Sequence, residues 1–125
     1  MNTAFFLMIG IVMVNVAVQF LLKKGVLAID PQLFSLSRIT ELLVQVALNG
    51  YIMGALVLLG SGFILWLFLV SREQLSVSYP VVVGLTIASL FIVSRIFLKE
   101  SLAFVQVVGV AVIIVGIFLV LNQGK

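Results

Sequence analysis

The stretch Leu75–Leu121, LSVSYPVVVGLTIASLFIVSRIFLKESLAFVQVVGVAVIIVGIFLVL, decides the fold. It holds two long apolar spans joined by a short charged corner at Arg95–Ser101. Tyr79-Pro80 lies near the start of the first span, Lys99-Glu100 sits in the corner, and Gly109 and Gly116 fall in the second span. About 20 apolar residues, once helical, cross a hydrocarbon core of ~30 Å. Two such spans with so short a corner predict an antiparallel pair of membrane helices.

The rest of the chain has the same character. Of its 125 residues, 64% are hydrophobic and 9% charged, and the mean hydropathy is +1.42. A soluble domain is about 45–50% apolar and ~25% charged. There is too little polar surface here to clothe a globule in water, so the solvent is lipid. Cysteine and histidine are absent, which removes disulfides, thiolate metal sites, the usual general base and the commonest transition-metal ligand. Only four carboxylates remain, all near span ends or in loops. The chain is therefore expected not to be an enzyme and to need no metal or other cofactor. The basic residues are scattered between apolar spans, so the net charge of +3 is no nucleic-acid footprint.

Upstream, Ala4–Leu22 forms a first span. No basic residue precedes it and Lys23-Lys24 follows it, so it is expected to be a retained helix and not a signal peptide. Lys23-Lys24-Gly25 is expected to stop that helix, with Gly25 as C-cap. Asp30-Pro31 marks a turn and a helix start capped by Asp30. Leu33, Leu36, Ile39, Leu43 and Val46 then recur at helical spacing among Arg38, Glu41 and Gln45. The segment 33–46 reads either as an amphipathic helix lying in the interface or as the wet first turns of the next span. That span covers about 48–70, with Gly50, Gly54, Gly60 and Gly62 allowing close helix approach. Gly60-Ser61-Gly62 is a candidate kink, and Trp66 suits headgroup level. Span three covers about 75–97 and is the most polar of the set, with Pro80 inviting a bend. Span four covers about 102–121.

The expected architecture is a single all-α membrane domain, a four-helix up-down bundle with both termini on one side. The first and third loops carry Lys23, Lys24, Arg38, Arg95 and Lys99, against Arg72 and Lys125 on the other side. The positive-inside rule then puts those two loops in the cytoplasm.

Polar groups inside the spans are the candidate functional residues, because each must find a partner in hydrocarbon. Asn15, Gln19 and Lys23 follow i, i+4, i+8 spacing and share one helix face. They form either a polar stripe along a substrate path, ending in a phosphate-binding cation, or interhelical hydrogen-bond glue with a snorkelling lysine. Arg95 and Gln106 carry the same two readings. Gly109 and Gly116, seven residues apart, form a smooth stripe suited to a helix–helix crossing, and span four reads as an oligomerisation helix. A chain this small hardly encloses a path alone, so a dimer is expected.

Four short spans, the early Tyr79-Pro80, the corner with Glu100 and the Gly109/Gly116 stripe resemble the small multidrug resistance superfamily, the single-repeat branch of the drug/metabolite transporters. Leu65-Trp66-Leu67 thirteen residues before Tyr79-Pro80, Gln19 four before Lys23, and Gly109-Val110-Ala111-Val112-Ile113-Ile114-Val115-Gly116 look most like the subunits of the undecaprenyl-phosphate aminoarabinose flippase. One departure separates the branches. Drug exporters carry a glutamate in mid-span one, where this chain has Asn15. The tryptophan they carry three residues after the binding-site tyrosine is Val82 here. An amide neither titrates nor neutralises a cation, and the aromatic cage is weaker.

The resemblance implies a bacterial inner-membrane transporter that flips a polyprenyl-phosphate-linked sugar or related lipid. Asn15, Gln19 and Tyr79 would contact the head group, with Lys23 and Arg95 on the phosphate. The working unit would be a homodimer or a heterodimer with a paralogous subunit, meeting at Gly109 and Gly116. A small-molecule exporter and a non-transporting accessory subunit are the alternatives.

Overall fold

The computed structural model describes residues 2–123. Lys125, counted above on the side of the termini, lies outside the described residues. No proline interrupts the first apolar run, and it forms a single helix, α1 (Asn2–Leu27). At 26 residues it is roughly 39 Å long, more than a ~30 Å core requires. The helix therefore does not stop at Lys23-Lys24-Gly25. Gly25 is not a left-handed cap: no described glycine has positive φ. Its missing side chain serves a close approach instead. A Cβ there would lie 2.6 Å from Ile52 Cγ1 and 3.1 Å from Asn49 Oδ1, and Asn49 Nδ2 donates to the Gly25 carbonyl at 2.8 Å.

The segment after α1 is broken by its own sequence. Pro31 opens a 3-10 turn (Pro31–Leu33), and Asp30 Oδ1 caps it by accepting from the Gln32 amide at 3.0 Å. A second 3-10 turn (Leu36–Arg38) precedes α2 (Ile39–Leu48). Arg38 Nη2 donates to Glu41 Oε2 at 2.7 Å; that bond and the carboxylate's charge raise the guanidinium pKa above its ordinary value. Leu33 and Val46 pack with Ile29, Ile52, Leu22 and Leu42, whereas Leu36, Ile39 and Leu43 are exposed. The inward face thus runs through Leu42, one residue off the apolar series read from the sequence. Asn49 is extended and separates α2 from α3 (Gly50–Arg72), capping the latter by accepting from the Tyr51 and Ile52 amides. The segment is a helix of its own and not the opening turns of α3.

The α3 helix runs unbroken through Gly60-Ser61-Gly62, where Ser61 Oγ donates to the Val57 carbonyl at 3.2 Å. A tight corner leads to α4 (Leu75–Ile96), with Pro80 inside it, and a longer one to α5 (Phe104–Gln123). Four helices, α1, α3, α4 and α5, are long and apolar enough to cross a membrane, and the chain is a multi-pass membrane protein.

In this bundle α1 is central, packing on both α3 and α4, while α5 packs on α4. The main core joins Met8, Ile11 and Val12 of α1 with Leu69, Val81, Val82 and Ile117. Two glycines let the helices come this close. A Cβ on Gly62 would lie 2.9 Å from Val14 Cγ1, and one on Gly84 would lie 2.6 Å from Ile117 Cδ1. At Gly109 and Gly116 nothing lies within 4 Å of such an atom, so within one chain that stripe is bare. Around it Val105, Val112 and Val115 are also exposed.

Candidate functional site

The α1, α3 and α4 helices enclose an open groove of about 340 Å³ lined by Ile11, Asn15, Leu59, Gly62, Phe63, Trp66, Tyr79, Val82 and Val83. Asn15 reaches across to α4, its Nδ2 donating to Thr86 Oγ1 at 3.4 Å. Thr86 in turn donates to the Val82 carbonyl at 2.7 Å. Thr86 thus returns its own proton to the helix backbone and presents an oxygen that an amide N–H can use. The Asn15 side chain has two donors and a carbonyl acceptor, and among the described residues it makes this one hydrogen bond. The side chain is half-buried and lines the groove.

The aromatic wall comes from the α3–α4 corner. Trp66 and Tyr79 stand on either side of that turn and pack edge to face, ring centroids 5.8 Å apart. The indole is partly buried and the phenol exposed. Beyond the pair a second recess, about 550 Å³, opens toward Leu75, Ser76 and Pro80. Trp66 had suited headgroup level in the sequence; in the fold it is part of the groove wall. The signal was present, since positions roughly equidistant from a tight corner face each other in an antiparallel pair.

Of the residues singled out from sequence, the fold brings Asn15 and Tyr79 into one groove. Gln19, one turn along α1, is exposed and does not line it. Lys23 lies ~12 Å from Asn15 along the helix at 1.5 Å per residue, and pairs with Glu100 at 3.5 Å, both side chains about half exposed. An ion pair so accessible contributes ~0–1 kcal/mol. Glu100 is delivered by an unusual corner: Lys99 has φ 55°, in the left-handed region, and the Glu100 amide donates to the Ser94 carbonyl at 3.0 Å. Arg95 is exposed and makes no ion pair among the described residues. Lys23, Lys24, Arg95 and Lys99 therefore gather at the end of α1 and the α4–α5 corner, away from the Trp66–Tyr79 wall, while Arg72 ends α3 at the corner beside that wall.

The site so built has amide, hydroxyl and aromatic groups but no carboxylate in its lining. It is suited to hydrogen-bonding and stacking an uncharged polar body, not to titrating a proton at the groove wall. Among the described residues no cluster of three metal-ligating side chains occurs.

No protein-family model and no solved structure matches the chain. Curated sequences do. A protein of Aeromonas salmonicida (strain A449) is 32% identical over 75 residues, covering 60% of this chain and 65% of the relative. A protein of Enterobacter sp. (strain 638) is 39% identical over 70 residues, covering 56% of this chain and 64% of the relative. Both are named probable 4-amino-4-deoxy-L-arabinose-phosphoundecaprenol flippase subunit ArnE. The likeness is to flippase subunits. A second Aeromonas protein named ArnE, from A. hydrophila, is 32% identical over 69 residues. The chain matches less than two thirds of the length of these ArnE relatives. Their name describes transport and not an enzymatic reaction, in line with the resemblance drawn from the Tyr79-Pro80 and glycine spacing.

Proposed function

We propose that this chain is one subunit of a bacterial inner-membrane transporter that moves a polyprenyl-phosphate-linked sugar between leaflets. The observation that carries the reading is the groove in which Asn15, Trp66 and Tyr79 converge without a carboxylate. Sugars are recognised by hydrogen bonds to hydroxyls and by stacking on aromatic faces, and the groove offers both. The likeness to ArnE proteins supports the same cargo class. Lys23 and Arg95 stand at the far, basic end of the bundle, where a phosphate belongs. Lys23 exchanges Glu100 for phosphate at little cost, because their exposed pair is weak. The basic end faces the cytoplasm by the positive-inside rule.

A groove open along its length is completed by a second subunit, identical or paralogous. The bare Gly109/Gly116 stripe of α5 is the surface for that contact, since small residues let helices approach where lipid offers no hydrophobic drive. Rocking of one subunit against the other then exposes the groove to each leaflet in turn while the tail stays in the bilayer. The test is reconstitution in liposomes, alone and with any paralogous subunit, followed by the reorientation of a labelled undecaprenyl-phosphate sugar. Reorientation above protein-free vesicles is expected; its absence in both arrangements overturns the reading.

A further inference from the structure

We propose that a separate apolar groove between α1 and α4 is where the lipid loads, taking the first isoprene units of a polyprenyl phosphate while Lys24 holds the phosphate. The proposal rests on the transport reading and adds the place and the residue at which the tail and the charge are first recognised.

This groove has a volume of about 410 Å³ and runs between Val12–Phe20 of α1 and the stretch from Ser89 of α4 to Phe97, the residue that caps α4. At 100° per residue Phe20 points ~140° away from Asn15, so the two grooves look out from different sides of α1. From Val12 to Phe20 it extends ~12 Å along the helix axis at 1.5 Å per residue. Ser89 is the one polar residue in its lining, and the hydroxyl sits among hydrocarbon walls that offer nothing to a sugar.

What distinguishes this slot from any lipid-bathed surface is its end. Phe20 and Phe97 close it edge to face, ring centroids 6.0 Å apart. Lys24, one turn beyond Phe20, holds its ammonium 5.6 Å from the Phe20 ring centroid. Its neighbour Lys23 is weakly paired with Glu100 until the head group reaches it, whereas Lys24 makes no ion pair among the described residues and is the first cation an arriving phosphate meets. An uncompensated cation at one end of a single apolar slot complements an amphiphile with one anionic head and one long chain. The sugar would then travel from this basic end toward the Trp66–Tyr79 wall, which lies near the opposite end of α4.

The purified protein in phosphatidylcholine nanodiscs is titrated with undecaprenyl phosphate bearing a diazirine on its proximal isoprene, and adducts are mapped by mass spectrometry. Adducts are expected within residues 12–20 and 89–97. Lys24→Gln is expected to weaken binding at least ~tenfold, the loss of one charge-assisted contact. Ala17→Phe, which fills the slot without touching the charge, is expected to remove the adducts; circular dichroism and size-exclusion checks establish that each variant is folded. Should Lys24→Gln not fold, uncharged undecaprenol replaces it as the probe of charge. Adducts at Trp66 or Tyr79 instead, equal binding of undecaprenol, or equal competition by phosphatidylglycerol each overturn the proposal, the last meaning that Lys24 only meets bulk head groups. Binding here without sugar-lipid transport would sink the transport reading and leave the groove standing. Transport with adducts elsewhere would do the reverse.

Discussion

Trp66 and Tyr79 pack edge to face across the α3–α4 corner, ring centroids 5.8 Å apart and planes inclined at 66°. The pair separates the groove of Asn15 from the recess beside Pro80, each ring lining both. An edge-to-face pair contributes ~0.5–1.5 kcal/mol beyond area burial, so the two rings brace one another across the corner.

Tyr79→Ala removes the exposed member of this wall and is expected to lower sugar-lipid reorientation at least ~tenfold, the equivalent of ~1.4 kcal/mol. Tyr79→Phe keeps the ring and loses the hydroxyl. A liposome reorientation assay separates the two contributions, and equal rates for Tyr79→Ala and the unsubstituted protein would remove the residue from the site.

The bond between Asn15 and Thr86 joins α1 to α4. Bonds of this kind within a bilayer average ~0.6 kcal/mol in double-mutant cycles and reach ~1.7. Asn15→Ala, Thr86→Val and the double substitution are expected to yield a coupling energy in that range, read from reversible unfolding in mixed micelles. A coupling near zero would leave Asn15 a groove residue only.

Gly84 and Gly109 are expected to respond in opposite ways. Gly84→Val drives methyl groups into Ile117, whose Cδ1 already lies 2.6 Å from the Cβ position, and should cost ~1–3 kcal/mol by overpacking. Gly109→Leu meets nothing within 4 Å in its own chain; unfolding should be little changed, while the proposed dimer is expected to be lost by light scattering in detergent. A dimer that survives Gly109→Leu and Gly116→Leu together would exclude this stripe as the interface.

Asn49 holds two elements at once, capping α3 through Oδ1 and binding the Gly25 carbonyl through Nδ2. Asn49→Ala is expected to destabilise by ~1–2 kcal/mol, the upper part of the range for a lost cap. Asn49→Asp keeps the cap and loses the donor to Gly25, so thermal unfolding of the pair apportions the two roles.

The long apolar runs of α1, α3, α4 and α5 made the helices visible in the sequence, because only a helix satisfies its backbone in hydrocarbon. Asn15 stood out as a rare polar group inside a span, and Tyr79 through the family resemblance. Trp66 did not, since an indole near a span end is also what a headgroup belt requires. The glycines show most clearly where sequence reading runs out. Gly25, Gly62, Gly84, Gly109 and Gly116 are chemically identical, and whether each meets a neighbour depends on the rotational phase of its helix. That phase is set by packing across the bundle, as is the encounter of Lys23 with Glu100, which depends on the left-handed turn at Lys99. In the segment after α1 the turn at Asp30-Pro31 was legible in the letters, whereas the separation of α2 from α3 at Asn49 and the inward turn of Leu42 depend on packing against Ile52.

The central position of α1 has a consequence for how the protein is made. The α1 helix buries its surfaces against α3 and α4, which emerge after it, and the partner of Asn15 lies 71 residues downstream. During insertion the amide must therefore be sheltered by the insertion machinery, a passing water or a temporary neighbour until α4 arrives. Non-local contacts of this kind form late, so α1 waits in the membrane as an unfinished surface, and it is the arrival of α4 that completes the groove.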